Sequence, residues 1–364
     1  MISTILIFLI VLAVLIVVHE LGHFLAARAF GIRVDEFGLG FGPRLFGKSF
    51  TSKKHGTTVY TLNAIPFGGF VKIFGENPDA DSMSGPDSSR SFVNKPRYVQ
   101  VIVLAAGVFF NFLFAWLIIS IGFLAGLPVS PSSYEQYASR IHDPHIIVAS
   151  VSAGSPAEKA GLVAGDTLFI PSISSFQTTI AQSQGRPITL EYKRTATTSV
   201  SITPVQGLIA DHYAIGIAME DAGTLRLPIH LAIWEGLKFT VHLISATAQG
   251  IWALIVGLFQ GNRALLSQVS GPVGIATLVG QAAHIGFTYL LVFTALISVN
   301  LGVLNLVPFP ALDGGRIFFV IIESIIRRRI KPSIANTVNA LGFGLLLILM
   351  VLVTYHDIAH IFKK

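Results

Sequence analysis

Three residues near the start of the chain, His19, Glu20 and His23, stand in the order His-Glu-Leu-Gly-His. A four-residue step along an α-helix turns by roughly 400°, so both imidazoles fall on one face, one turn apart. Two nitrogens so placed can share a zinc ion, and a carboxylate next to the first can take the proton of an attacking water. Catalytic zinc takes a third protein ligand and keeps one position open. The chain has no cysteine, which excludes disulfides and thiolate sites and leaves His, Asp or Glu for that third position. A distant candidate is Asp313, in the run Asn305-Leu306-Val307-Pro308-Phe309-Pro310-Ala311-Leu312-Asp313-Gly314-Gly315. Asp before Gly-Gly is also a common cap at a turn, and the run by itself favours the cap.

The elements that must position these residues read as membrane spans. Hydrophobic residues make up 52% of the chain and charged residues 12%, where soluble domains carry roughly a quarter charged. Residues 7–18 contain no polar side chain, and with their flanks they reach the roughly 20 residues that cross a bilayer. No basic residue precedes this run and no small-residue cleavage site follows it, so it is expected to be a span and not a signal peptide. The helix is apolar on every side before His19, so a solvated polar face does not account for three ionisable residues at its end. Inside a membrane such residues are costly and by default functional. Residues 99–127, 287–307 and 341–353 carry almost no charge and also read as spans. Residues 229–259 differ, because Glu235, Lys238, His242 and Gln249 share one helix face. There an amphipathic helix lying on the membrane competes with a span.

Topology bears on Asp313. Ten Lys or Arg between residues 28 and 97 put the end of the first span on the cytoplasmic side. The cluster Arg327-Arg328-Arg329-Ile330-Lys331 does the same for the span that Asp313 closes. Both motifs then lie at similar depth, which favours Asp313 as a ligand over a cap. Pro308 and Pro310 break the helix there, and broken backbone at membrane depth is tolerated where it lines a cavity. The second span must run outward, which leaves residues 128–228, with the composition of an ordinary soluble domain, outside. Parity then leaves residues 229–259 no net crossing and favours the surface helix. The net charge of +6 reports this topology, and no nucleic-acid partner is expected. Residues 57–73, rich in β-branched and aromatic side chains, read as strand. Residues 77–91, rich in Pro and Ser, read as loop.

Taken together, these motifs resemble the site-2 protease family of intramembrane zinc metalloproteases, of the bacterial type with a single PDZ domain. The resemblance extends to Phe37-Gly38-Leu39-Gly40-Phe41-Gly42, to Gly68-Gly69-Phe70-Val71-Lys72 and to Ser270-Gly271-Pro272-Val273-Gly274-Ile275. It implies a polytopic α-helical membrane protein with four transmembrane helices, a membrane-associated β-hairpin region and one extracytoplasmic PDZ-like α+β domain. The expected division is a first transmembrane helix (1–30), a cytoplasmic-side hairpin and loop (31–97), a second span (98–127) and the PDZ-like domain (128–228). A membrane-surface helix (229–262), a third transmembrane region with the Asp motif (263–313), a basic loop (314–337) and a fourth span with the tail (338–364) follow.

The resemblance further implies that Zn2+ is held by His19, His23 and Asp313, that Glu20 acts as base and acid, and that Asn305, Pro308, Pro310, Gly68, Gly69 and Phe70 bind substrate. Expected substrates are single-span membrane proteins already trimmed outside, such as anti-sigma factors or signal-peptide remnants. The protein is expected in the bacterial cytoplasmic (inner) membrane among membrane lipid, with the active site near the cytoplasmic face. The outer domain is expected to exclude substrates that still carry a bulky ectodomain. The family's second span usually shows Gly-Pro-x-x-Asn, whereas Gly107-Val108-Phe109-Phe110-Asn111 lacks the proline; Asn111 is expected to pack helices or to serve as a polar site residue. The PDZ likeness rests on Ser155-Pro156-Ala157-Glu158 with Gly165-Asp166, and Ser155 reads as a helix N-cap. Gly38-Leu39-Gly40-Phe41 imitates a PDZ carboxylate loop but precedes the second span, and reads as a decoy.

Overall fold

A computed structural model describes residues 2–52, 56–194, 196–209, 212–261 and 271–362. Ser270 therefore lies outside the described residues. The chain forms two compact units, Met1–Ile121 with Ile233–Lys364, and Gly122–Ala232.

The first unit begins with α1 (Ile2–Ala29), whose apolar run continues without a break into the His-Glu-Leu-Gly-His motif. Strands β1 (Val34–Ser52) and β2 (Gly56–Ile73) follow. Both bend, so that Gly38 pairs with Phe70 on one side and Thr61 on the other, while residues 46–52 pair with 56–62. The resulting sheet has residues 69–73 along one margin. Its base is buried with α1: Phe24, Ala27, Val34, Val71 and Ile73 share a core with Val99 and Val103 further along the chain. The region expected as loop contains a short helix, α2 (Ala80–Ser84), because Asp79 and Ser82 cap each other reciprocally at 2.8 and 2.9 Å. Next, α3 (Arg97–Ala125) runs antiparallel to α1, with Phe114 near Val11 and Leu15 while Val103 meets His23.

The second unit holds β3 (Leu127–Val129), β4 (Ile141–Val151), α4 (Pro156–Lys159), β5 (Thr167–Leu168), α5 (Ile173–Gln182), β6 (Ile188–Lys193), β7 (Thr197–Ile202), β8 (Val205–Ile209), β9 (His212–Ala214) and β10 (Ile217–Leu225). Six strands form an antiparallel sheet in the order β3-β10-β4-β5-β6-β7, and β8 pairs with β9 apart from it. Short apolar runs form β4, β6 and β7. Ser155 caps α4, its hydroxyl accepting the Glu158 amide at 3.2 Å. Val148, Leu162, Leu168, Phe176, Leu190 and Ile202 supply the core.

The chain returns to the first unit with α6 (Ile229–Phe259), α7 (Pro272–Ile285), α8 (Phe287–Leu306), α9 (Asp313–Ile326) and α10 (Pro332–Phe362). Five helices among the described residues are long and apolar enough to cross a membrane, one more than the four expected, and α6 is the additional one. Contacts show how α6 lies. Trp116 of α3 donates to the Ile233 carbonyl at 2.9 Å, and Thr247 donates to Asn300 of α8 at 2.8 Å. The helix is thus inclined into the bundle, where α3 and α8 offer polar partners at two depths. The Gly271 and Gly274 amides at the start of α7 donate to Asp357 at 3.1 and 2.8 Å. Along α10, Asp357 lies about 27 Å beyond Asn339, whose side chain accepts the Ala311 amide. α7 also packs Gly280 on Thr4 of α1. The start of α7 therefore stands at the end of the bundle where α1 begins.

In the second unit Asp166 is fully buried. Both its oxygens are held by Arg194, at 2.7 and 2.8 Å, and one also by the Val163 amide at 2.9 Å. Burial pushes this carboxyl up, but the Arg194 and Val163 hydrogen bonds outweigh it and hold it below the usual range. A carboxyl with a depressed folded pKa contributes stability that is complete above its unfolded value, about 3.9, and is lost as pH falls through the folded value. Arg194→Ala is expected to lower the domain's unfolding midpoint at pH 7, with the difference from the parent narrowing in acid. Thermal unfolding of both proteins across pH 3 to 7 checks this, and a difference independent of pH would show that Arg194 acts by packing alone.

Candidate active site

The two histidines of α1 and the first residue of α9 meet. His19 Nε2 lies 3.2 Å from His23 Nε2, and Asp313 Oδ2 lies 3.0 Å from the first and 3.4 Å from the second. Among the described residues, this is the group of three potential ligands that could hold one metal ion. Both histidines are buried. The pair is one helical turn apart, as their spacing requires, and Gly22 between them lets α3 approach. A Cβ on Gly22 would stand 2.3 Å from the Ala106 carbonyl oxygen, and one on Gly107 would stand 2.4 Å from His23 Nε2. Bare backbone at Gly107 is therefore the floor on which the imidazoles rest.

The donor set fits zinc. Four ligands at about 2.0–2.2 Å in a tetrahedron stand about 3.3–3.6 Å from one another, close to the observed separations. His23 Nδ1 donates to the Val103 carbonyl at 2.9 Å, so in the neutral ring Nε2 carries the lone pair, 3.4 Å from the carboxylate. Asp313 Oδ2 is buried and receives no hydrogen bond. Lone pairs facing each other in an apolar surrounding are unfavourable, and a divalent cation satisfies them together.

Asp313 reaches this place because α8 stops at Leu306 and the chain turns sharply. Pro308 and Pro310 cannot continue the helix, and Ala311 adopts a left-handed conformation with φ of 76°. Gly314 and Gly315 allow α9 to start against the turn: a Cβ on either would lie 2.2–2.3 Å from the carbonyl oxygens of Val307 or Phe309. Pro310 packs against Gly342 of α10. Asn305 Nδ2 lies 3.5 Å from His19 Nε2, and Asn111 Nδ2 lies 3.1 Å from His19 Nδ1.

The hairpin margin comes to the same place. A Cβ on Gly69 would be 2.8 Å from Ile16 Cγ2 and 3.5 Å from Glu20 Cγ, so this strand passes Glu20 closely. Phe70 covers Gly38, and Phe41 covers Gly68 and stacks on Phe70 at 6.2 Å. The decoy segment is thus part of β1 in the first unit. Sequence reasoning missed the Val103 carbonyl, the Gly22 and Gly107 contact, and an ion pair between Glu76, just past β2, and Arg316, one turn into α9. A signal existed for the glycines, since one stands inside the motif on α1 and the other four residues before Asn111 on the facing span.

Gly107→Ala is expected to displace the imidazoles and lower bound zinc at least tenfold, with matching loss of activity. Metal analysis of the purified variant checks this, and full zinc content would show that the site can shift to admit a methyl group.

The model of peptidase family M50 matches residues 7–349. A relative from Clostridium perfringens, named as a zinc metalloprotease, is 39% identical over 360 residues, covering 96% of this chain and 97% of the relative. One from Clostridium acetobutylicum, with the same type of name, is 33% identical over 361 residues, covering 95% of each. The zinc metalloprotease RasP of Geobacillus kaustophilus is 28% identical over 440 residues, covering 98% of this chain and 97% of the relative. The buried His-His-Asp cluster and these matches along nearly the whole chain agree: the protein belongs to peptidase family M50, the site-2 protease family of zinc metalloproteases.

Proposed function

We propose that the chain is an intramembrane endopeptidase in which His19, His23 and Asp313 hold zinc and Glu20 is the general base and acid. The observation that carries this reading is the place of the cluster, at the joint between two span-length apolar helices and a third broken by proline. Zinc held there lowers the pKa of water toward neutrality and polarises the scissile carbonyl. Glu20 follows His19 directly, so its carboxylate is placed to accept the water's proton and return it to the leaving amine.

The substrate side follows from the backbone. A transmembrane helix has its amides already paired and must unwind before it can be cut. Residues 69–73 pair with β1 on one side and, among the described residues, with no strand on the other, and so offer replacement hydrogen bonds to an extended segment. Gly69 lies beside Glu20, so a segment added at this margin passes the base. Asn305, whose Nδ2 lies 3.5 Å from His19 Nε2, would hold the substrate backbone. The substrates are single-span membrane proteins after trimming of their ectodomains, of the anti-sigma-factor or signal-peptide-remnant kind. Four crossings by α1, α3, α8 and α10 in the bacterial cytoplasmic membrane put the site near the cytoplasmic face and the second unit outside. That unit is PDZ-like: α5 and the start of β10 flank a groove that includes Gln177, Ile180, Tyr213, Ile217 and Met219.

The test is cleavage of a single-span model substrate together with metal analysis. Glu20→Gln is expected to lower cleavage by about 10²–10⁴-fold with zinc retained, because the amide keeps the shape but cannot take the proton. Asp313→Asn is expected to lower both. Substantial turnover by the first variant would remove Glu20 as base, and unchanged zinc in the second would return Asp313 to a helix cap.

A further inference from the structure

His19 has two ring nitrogens, and its Nε2 faces His23 Nε2 and Asp313 Oδ2. On the reading that His19 is a ligand, Nε2 needs a lone pair, so Nδ1 must carry the hydrogen. A buried N–H without an acceptor is costly. The group in reach of Nδ1 is the carboxamide of Asn111, 3.1 Å away on a side chain that is 0% exposed. With the amide nitrogen toward the ring, two donors meet, and the amide oxygen is left buried with no partner. A carboxamide fills nearly the same volume with oxygen and nitrogen exchanged. Turned over, its oxygen meets the Nδ1 hydrogen, and both faults disappear.

We propose that Asn111 is a positioning residue whose Oδ1 accepts the His19 Nδ1 hydrogen and thereby fixes the tautomer that presents Nε2 to the metal. The helix α3 then supplies an acceptor to each histidine. The Val103 carbonyl serves His23, Asn111 serves His19, and Gly107 lies midway with no side chain to intrude between them. The acceptors stand about 12 Å apart along α3, one on each side of the paired rings. Asn111 is itself anchored, since Ser298 of α8 donates to its backbone carbonyl at 2.8 Å. This reaches beyond the family pattern, in which the residue has a recognisable place but, in this chain, no proline ahead of it.

The proposal rests on the ligand reading above, and the experiment separates the two. Zinc affinity is measured by chelator competition on full-length protein for the parent, Asn111→Asp, Asn111→Leu, Asn111→Ala and His19→Ala. Asn111→Asp keeps an acceptor; the other two Asn111 variants lack one. Asn111→Ala, being smaller than the parent side chain, adds no strain should Asn111→Leu misfold. Partners of metal-bound histidines typically cost 10–100-fold in affinity when removed, so that loss is expected for Leu and Ala, with Asp within a few-fold of the parent. Equal affinity in the parent and all three Asn111 variants, alongside loss in His19→Ala, overturns the proposal and leaves the ligand reading standing. Equal loss in Asp, Leu and Ala also overturns it, because Asn111 would then act by its shape. Full zinc retention by His19→Ala overturns the ligand reading itself.

Discussion

The closeness of α1 and α3 sets everything at the site. Lipid tails are as apolar as leucine, so two helices in a membrane gain little from apolar contact alone and associate through small residues and hydrogen bonds. Here Gly22 sits on the Ala106 carbonyl, and Gly107 lies under both imidazoles. At a wider separation His23 Nδ1 would lose Val103 and His19 Nδ1 would lose Asn111. Both rings would then hold unsatisfied donors in an apolar surrounding, where turning away or changing tautomer is the cheaper state. The geometry of the cluster is therefore a consequence of backbone packing between two apolar helices, and the histidine spacing alone does not supply it.

The carboxylate of the cluster arrives by a different device. A continuous helix through residues 305–313 would carry Asp313 past the histidines, and the two prolines prevent that. The left-handed residue Ala311 costs about 1–2 kcal/mol, offset by packing of Pro310 on Gly342 and by the hydrogen bond from its amide to Asn339. α10 thus braces the turn that places the carboxylate. The hairpin is tied into the same frame through its core with α1 and α3 and through the Glu76 and Arg316 ion pair. The strand margin beside Glu20 and the helix that starts with Asp313 are consequently held by common supports.

Much of this was legible in the residues. The His-Glu-Leu-Gly-His spacing, the polar residues at the end of an apolar helix, and the proline-broken run before Asp313 constrain one another, and their sum pointed to a single metal site. Ser155, Pro156 and Glu158 announced the start of α4 for the same reason: capping chemistry is local. What stayed hidden was set by tertiary contact. The acceptor for His23 is a backbone carbonyl, which leaves no mark in a sequence. The inclination of α6 depends on Trp116 and Asn300, more than 100 and 50 residues from their partners Ile233 and Thr247. The polar face of that helix is compatible with a surface or a bundle until those partners are known. The turn at Asp79 and Ser82 was local and readable, but its box uses Ser where Glu or Gln is usual.

On the proposed function, helix packing prepares a site of two imidazole nitrogens and one carboxylate for a single zinc ion. Zinc K-edge X-ray absorption on the purified full-length protein tests it most directly, because it reads ligand type and number without a substrate. The account predicts a four-coordinate ion with two imidazoles and the remaining ligands oxygen, at about 2.0–2.2 Å. A shell with one imidazole or none, or six oxygen ligands, would contradict it.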